Sequence, residues 1–303
     1  MLGRVARLYY EYDLTHQEIA DLLGVSRIRV TRALAEARRV GIVTIEVHTD
    51  EGLFIAEENA LADKYDLDHV WVAPTNSANR ADPIAHLAAD CIVHLITNGM
   101  RIGVGLSTTL ALAVSYMKPS SSVSAEFIPL QGTNPGLVVP PTPSNIALEL
   151  AHKFGGSSHD LAVPVLPQAR ETAMMLRSEP DVQRVFDMAR TCDLALVGVG
   201  GSTPGSSIML TGTLTKEQAD ELKAAGAVGD INAHFFDKDG SPVDSPVTDL
   251  VLALNLESFS MIPVRVGIAG GPDKVEALRG ALRGNLLNGL VTDIETAQRL
   301  IAE

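Results

Sequence analysis

Only two of the 303 residues are cysteines, Cys91 and Cys192. They lie far apart in sequence, so neither a disulfide framework nor a clustered metal site is expected, and a reducing cytoplasm fits. Long hydrophobic runs are missing as well. No apolar stretch reaches the ~18 residues that a membrane span needs, and the chain begins in an amphipathic pattern rather than a charged-then-apolar leader. A soluble, unexported chain without a membrane partner is expected. The eight histidines show no HExxH or similar ligand spacing, which predicts no metal. Neither GxGxxG nor the GxxxxGK phosphate loop is completed, which disfavours dinucleotides and nucleoside triphosphates, and no cofactor is expected.

Positive charge is scarce: 24 lysines and arginines stand against 37 acidic residues, a net charge of −13. As a total, that argues against a nucleic-acid partner, because contact with a polyanion requires local cations that replace its counterions. The distribution reverses the conclusion for one end. Residues 1–50 hold seven arginines and seven acidic residues, so the whole excess of acid belongs to residues 51–303. Within Ser26 to Val40, Arg27, Arg29, Arg32, Arg38 and Arg39 stand against a single Glu36. A short basic footprint on a neutral module results, and the chain divides into a domain over 1–50 and a larger one over 51–303.

Leu2, Val5, Ala6, Leu8 and Tyr9 recur at helical spacing and predict a first helix ending near Tyr12 and Asp13. Thr15 followed by Glu18 reads as a capping box opening a second helix to about Leu23. Gly24 can take the left-handed conformation that stops it, and Ser26 can cap a third helix through Val40. On that third helix Val30, Ala33, Leu34 and Ala37 fall on one side. Arg27, Ile28, Thr31 and Arg32 fall on the other, toward the end that a recognition helix presents to the major groove. Arginine can pair bidentately with guanine, threonine can touch a thymine methyl or a phosphate, and Arg38 and Arg39 suit the DNA backbone. The candidate DNA-binding set is Thr15, Ser26, Arg27, Ile28, Arg29, Thr31, Arg32 and Arg38. Gly41 breaks the helix, and alternation from Ile42 to His48 predicts a short strand or wing. The alternative, an ordinary three-helix bundle with a solvated arginine face, is disfavoured by the joint presence of cap, turn and arginines. The segment THQEIADLLGVSRIRVTRALAEARRVGIV resembles the DNA-binding domain of the sorbitol-operon-regulator (SorC) family, which implies double-stranded operator DNA as a partner.

The stretch from about Gly52 to Asp66 predicts a connecting helix. It either pairs with a second copy to space two DNA-binding heads over half-sites ~34 Å apart or packs on its own C-terminal domain. From His69 onward the runs HVWVAPT, MRIGVGL, SAEFIPLQG, CDLALVGVGG, VRVGIAGG and NGLVTD alternate with helical patterns. Alternation of this kind argues for an α/β domain with a mostly parallel sheet covered on both faces, whose ligands bind beyond the carboxyl ends of the strands. Gly105, Ser107, Thr108 and Thr109 open a helix after one strand, where amides and hydroxyls can surround an anion; a glycine-rich turn with ordinary caps is the alternative. Gln131 and Gly132 end a second strand and Gly200 a third, where backbone passes close to a ligand or to a neighbouring element. Asp230 can accept hydrogen bonds from sugar hydroxyls and precedes an Asp239-Gly240 hairpin turn. Lys274 can reach a phosphate or carboxylate, or lie on the surface. The proline-rich residues 134–145 either close over a ligand or connect elements.

Residues 53–303 are similar to the sugar-binding domain of the same SorC family. The likeness rests on GVGLSTTL, the strand ending in QG, DLALVGVGG, VGDINAHFFDKDG and the closing run from VRVGIAGGPDK to AQRLI. The resemblance implies a helix-turn-helix (winged-helix-like) domain followed by a Rossmann-like parallel-sheet domain similar in fold to phosphosugar isomerases and glucosamine-phosphate deaminases. It further implies that Ser107, Thr108 and Thr109 hold a phosphate or terminal hydroxyls, that Asp230 orients the sugar, that Lys274 supplies charge, and that the chain forms a homo-oligomer, dimer or tetramer. Two departures matter. The loop Gly103 to Ser107 lacks the arginine or tryptophan often found there, which weakens phosphate neutralisation and leaves a non-phosphorylated polyol open. Gln131 stands where some relatives carry a lysine, and it cannot form an imine with an aldehyde sugar. The expected function is a transcription regulator of a carbohydrate-utilisation operon, controlled by a sugar, polyol or sugar phosphate. The alternative is a sugar-phosphate isomerase or deaminase fused to a DNA-binding head. That enzyme needs a base and an acid; Asp230 and His234 are available, but no sequence feature pairs them, so no catalytic residue is assigned.

Overall fold

The computed structural model describes residues 2–12, 14–43, 54–75, 79–119, 123–133, 141–201 and 212–302, without the side chain of Arg38. The chain divides into two compact units, Met1–Asp50 and Glu51–Glu303.

The first unit holds helices α1 (Leu2–Tyr10), α2 (His16–Leu23) and α3 (Arg27–Arg39). Val5, Ile19, Ala20, Val30, Ala33 and Leu34 form its core, so the apolar stripe of each helix meets the other two. The capping box forms as the spacing predicts: the Glu18 amide donates to Thr15 Oγ1 and the Thr15 amide to Glu18 Oε2, satisfying two orphan donors. Gly24 ends α2 at φ 66°, with its amide and that of Val25 both donating to Ala20 O. Ser26 Oγ accepts from the Arg29 amide at 3.3 Å and opens α3. Helix α1 stops at Tyr10, slightly earlier than the pattern predicts. Gly41, at φ 77°, ends α3 as expected; the strand or wing expected beyond it falls chiefly on 44–50, outside the described residues.

The second unit is built on a seven-stranded, all-parallel sheet in the order β1-β10-β9-β5-β2-β3-β4. The strands are β1 (His69–Ala73), β2 (Arg101–Val104), β3 (Glu126–Pro129), β4 (Ser157–Ser158), β5 (Leu194–Val197), β9 (Val264–Ile268) and β10 (Gly289–Asp293). A smaller antiparallel sheet joins β6 (Gly200–Gly201), β7 (Gly229–Ile231) and β8 (His234–Phe236). In β5, Leu194 and Leu196 enter one core cluster while Ala195 and Val197 enter the other, which shows that both faces are covered. The chain runs from β2 outward to β3 and β4, then returns to β5 on the other side of β2 and continues to β9 and β10. The loops after β2 and β5 therefore part company, and the crevice between them is a topological switch point.

The structure agrees with one of the two readings of the connector, forms the expected Asp239-Gly240 turn, and holds two elements absent from the sequence reading. The connecting helix α4 (Ile55–Tyr65) packs on its own unit, with Leu61 fully buried and Phe54 and Tyr65 against the main core. The Asp239-Gly240 hairpin exists, with Gly240 at φ 78° and its amide donating to Asp237 O. A second, tighter hairpin lies before it: Ile231 pairs with His234, leaving Asn232 (φ 53°) and Ala233 (φ 62°) as a two-residue turn. Positive φ at both central residues is the primed geometry that matches strand twist; alanine carries no sequence signal for it. A helix at Arg170–Ser178 is also present and was not read from the pattern.

Candidate functional site

On the first unit, α3 turns Arg27, Ile28, Arg29, Thr31 and Arg32 outward, together with Ser26. Val30, Ala33, Leu34 and Ala37 are buried on its other side. The arginines fall into two groups. Arg39 is held by Glu36 (Nη2 to Oε1, 2.6 Å) and Arg7 by Glu11 (2.8 Å). Arg27, Arg29 and Arg32 have no ion-pair partner among the described residues, so their guanidinium groups face water. Ile28 is 67% exposed among them, an apolar group of the kind that meets a thymine methyl. Thr31 Oγ1 donates to Arg27 O and lies 3.2 Å from His16 Nδ1, which fixes its rotamer. Thr15 is occupied in the helix cap, its hydroxyl bonded to Glu18 Oε2 at 2.7 Å. The Arg38 side chain lies outside the described residues. The sequence reading missed His16, for which only its position beside the cap offered a signal.

In the second unit a cavity of about 170 Å³ opens at the switch point. Of the nine residues expected there, Ser107, Thr108, Thr109, Gln131, Gly200, Asp230 and Lys274 line it. Ser107 Oγ accepts from the Leu110 amide at 3.1 Å, so this hydroxyl caps the helix Thr108–Tyr116. The two threonines after it bring hydroxyls and first-turn amides to the cavity. Gly105 and Gly132 stand behind the wall. A Cβ on Gly105 would collide with Asn232 Oδ1, and one on Gly132 would come within 2.5 Å of Val163 O. Both glycines are required by close packing, and neither is among the lining residues. Gly200 lines the cavity and also makes room for a neighbour, because a Cβ there would run into the Asp230 carboxylate.

Asn232 is the main residue the sequence reading left out. It lines the cavity from the tip of the β7–β8 turn, is 5% exposed, and its Nδ2 has no hydrogen-bond partner among the described residues. A buried unpaired amide donor is costly, and a ligand oxygen would satisfy it. Gln131 is 5% exposed and also lines the cavity. Asp230 Oδ2 accepts from the Ala233 amide at 3.1 Å, tying the carboxylate to the same turn.

Asp230 and Lys274 are the charged groups among the described lining residues. Burial pushes the Asp230 carboxyl above its usual range, against the opposing pull of Lys274, and pushes the Lys274 ammonium below its own. The pair brings the wall to zero net charge. The segments that adjoin it in sequence, 134–140 and 202–211, contain no charged residue. His234 is absent from the wall. Burial drives its imidazole down to about 4, and its Nε2 lies 3.5 Å from Ala253 O. Cys91 and Cys192 are buried with thiols pushed up to about 12, which makes them poor nucleophiles. Among the described residues no cluster of side chains suits a metal ion, and no helix is long and apolar enough to cross a membrane.

Residues 53–302 match the family described as "Putative sugar-binding domain", and residues 3–64 match the "Crp-like helix-turn-helix domain". The chain is 30% identical over 306 residues to the erythritol catabolism regulatory protein EryD of Brucella abortus, covering 99% of this chain and 96% of that protein. It is 28% identical to the deoxyribonucleoside regulator of Bacillus subtilis, over 98% of this chain and 95% of the relative. The full-length sorbitol operon regulator SorC from Klebsiella pneumoniae superposes with a TM-score of 0.78 at 26% identity, covering 99% of this chain and 97% of that one. With a helix-turn-helix that exposes arginines, a cavity with several polar side chains at the switch point of a parallel sheet, and likeness over nearly its whole length, the chain belongs to the SorC family of sugar-binding transcriptional regulators.

Proposed function

We propose that this protein binds operator DNA through Ser26, Arg27, Ile28, Arg29, Thr31, Arg32 and Arg38, with Thr15 setting the entry of α2. In this reading a small polyhydroxylated effector, a sugar, polyol or sugar phosphate, controls that binding from the switch-point cavity. The observation that carries it is the pairing, in one chain, of three water-facing arginines on a recognition helix with a cavity whose buried Asn232 amide donor has no partner among the described residues. Asp230 accepts hydroxyl hydrogens, Asn232 and Gln131 donate to ligand oxygens, and Lys274 with Thr108 and Thr109 meets a phosphate or a terminal hydroxyl.

Binding rather than turnover is the proposed role of the cavity. Gln131 has no amine for an imine and His234 sits outside the wall, so Lys274 is the one titratable group that accompanies Asp230 among the described lining residues, and the pair is read as holding a ligand by charge and hydrogen bonds. The protein is proposed to work in the cytoplasm as a homo-oligomer, dimer or tetramer, because paired half-sites require paired heads. The test is a thermal-shift series with tetritols, pentitols, hexitols and the matching sugars, each with and without phosphate, followed by DNA-binding titrations with the compound that responds. A saturable rise in Tm for one compound, with a change in operator affinity, supports the reading; hydrolysis or isomerisation of that compound by the protein overturns the binding role.

A further inference from the structure

Asp293 ends β10, is 1% exposed, and uses both carboxylate oxygens. Oδ2 accepts from the Gly271 amide at 2.9 Å and from Thr296 Oγ1 at 2.7 Å, and Oδ1 accepts from the Thr296 amide at 3.0 Å. Gly271 sits at φ 105°, and its carbonyl accepts from the Lys274 amide at 3.0 Å. The Gly271 amide also donates to Thr296 Oγ1 at 2.7 Å, so the Asp293 carboxylate and the threonine hydroxyl bonded to it together pin the turn that delivers Lys274 to the cavity.

The same carboxylate caps the C-terminal helix Ile294–Ala302. At that helix's other end the last carbonyls have no partner within the helix. Lys64 Nζ donates to Leu300 O and to Ile301 O, and Tyr65 Oη donates to Leu300 O, each at 3.0 Å. An ammonium there also meets the negative end of the helix dipole. Lys64 and Tyr65 close α4, the first helix of the second unit, from which the chain leads back into the DNA-binding unit. A nine-residue helix, a rod of roughly 13 Å, thus has the Lys274 turn fastened to one end and the connecting helix to the other.

We propose that Asp293 is a positioning residue that links occupancy of the cavity to α4. When a ligand engages Lys274, the Gly271 turn tightens on Asp293, and the C-terminal helix carries that constraint to Lys64 and Tyr65. This rests on the effector reading of the cavity. Linkage requires the coupling to be reciprocal: loosening α4 must loosen the Lys274 turn.

Hydrogen–deuterium exchange on the full chain tests it, first without ligand. Lys64→Met keeps the aliphatic stem of an exposed side chain, so the fold is retained while the ammonium is lost. The expected result is exchange about tenfold faster in Gly270 to Val275 as well as in the C-terminal helix, with β2 and β3 unchanged. Asp293→Asn is expected to show the converse, faster exchange in α4 as well as in Gly270 to Val275. Faster exchange confined to the helix next to each substitution would overturn the link. A second arm adds erythritol, ribitol or their monophosphates to wild type, where protection of α4 is expected, and to Lys64→Met, where protection stops at the C-terminal helix. Protection of α4 undiminished in Lys64→Met also overturns the link. If none of these probes slows exchange anywhere, the effector reading loses its support, while the ligand-free arm still decides the link.

Discussion

The two units keep their polar groups in opposite conditions. On the helix proposed for recognition, Arg27, Arg29 and Arg32 stand in water without an ion-pair partner among the described residues, where a guanidinium costs almost nothing and is available to a phosphate or a guanine edge. In the cavity Asp230 and Lys274 are held partly out of water, and Asn232 is buried with a donor that has no partner among the described residues. Those groups cost stability while the site is empty and recover it when a ligand supplies hydrogen bonds. The contrast teaches what each site should answer to. Salt should govern the first, because released counterions drive it; ligand and pH should govern the second.

Substitutions can break or sharpen that contrast. The largest expected effect is that of Lys274→Ala, which leaves Asp230 as an unpaired buried carboxylate and removes the cation from the wall. Effector affinity should fall by on the order of 100-fold, measured by titration calorimetry, with ligand-free operator affinity unchanged; loss of both would abolish the division of labour. Next is the response to acid. The His234 imidazole is depressed from 6.5 to about 4, so its contribution is complete above pH 6.5 and is lost as pH falls through that window toward 4. His234→Gln keeps a donor for Ala253 O and cannot titrate. Wild type should lose up to about 3 kcal/mol more than this variant between pH 7 and 4, read from urea melts; parallel curves would show that His234 is not buried in the way described.

Arg32→Ala should follow, with operator affinity down about tenfold and the slope of log K against log salt reduced by about 1 if it meets a phosphate. An unchanged slope with relaxed sequence preference would assign it to a base instead. Effector binding should be untouched in either case. Ala233→Gly is the smallest: relief of a left-handed alanine should raise the stability of the second unit by a few tenths to about 1 kcal/mol. A fall in Tm would mean that the Ala233 methyl, packed against Val165 and Val251, matters more than the backbone strain.

The recognition module was legible almost residue by residue, because its signals are local: Thr15 and Glu18 are three apart, and Gly24 and Ser26 flank a single corner. The parallel sheet was legible as a set of strands, because buried strands read as valine- and isoleucine-rich runs. What escaped was set by distance in sequence. The approaches of Gly105 to Asn232 and of Gly132 to Val163 O join residues from different loops, so the close packing that requires these glycines had no local signal. The β7–β8 turn escaped because alanine is an unusual residue at φ 62°, and with it went Asn232. That Lys274 lines the cavity had no local signal either, because its turn is held by Asp293, further along the chain.

The central claim is that one ligand site in the second unit controls the DNA affinity of the first. It is tested most directly by measuring operator affinity, by fluorescence anisotropy, for wild type and Lys274→Ala with and without the compound that raises the Tm of wild type. The account predicts a change of about fivefold or more in wild type, no change in Lys274→Ala, and equal affinities for the two proteins without ligand. A compound that saturates the cavity and leaves wild-type operator affinity unaltered would contradict it.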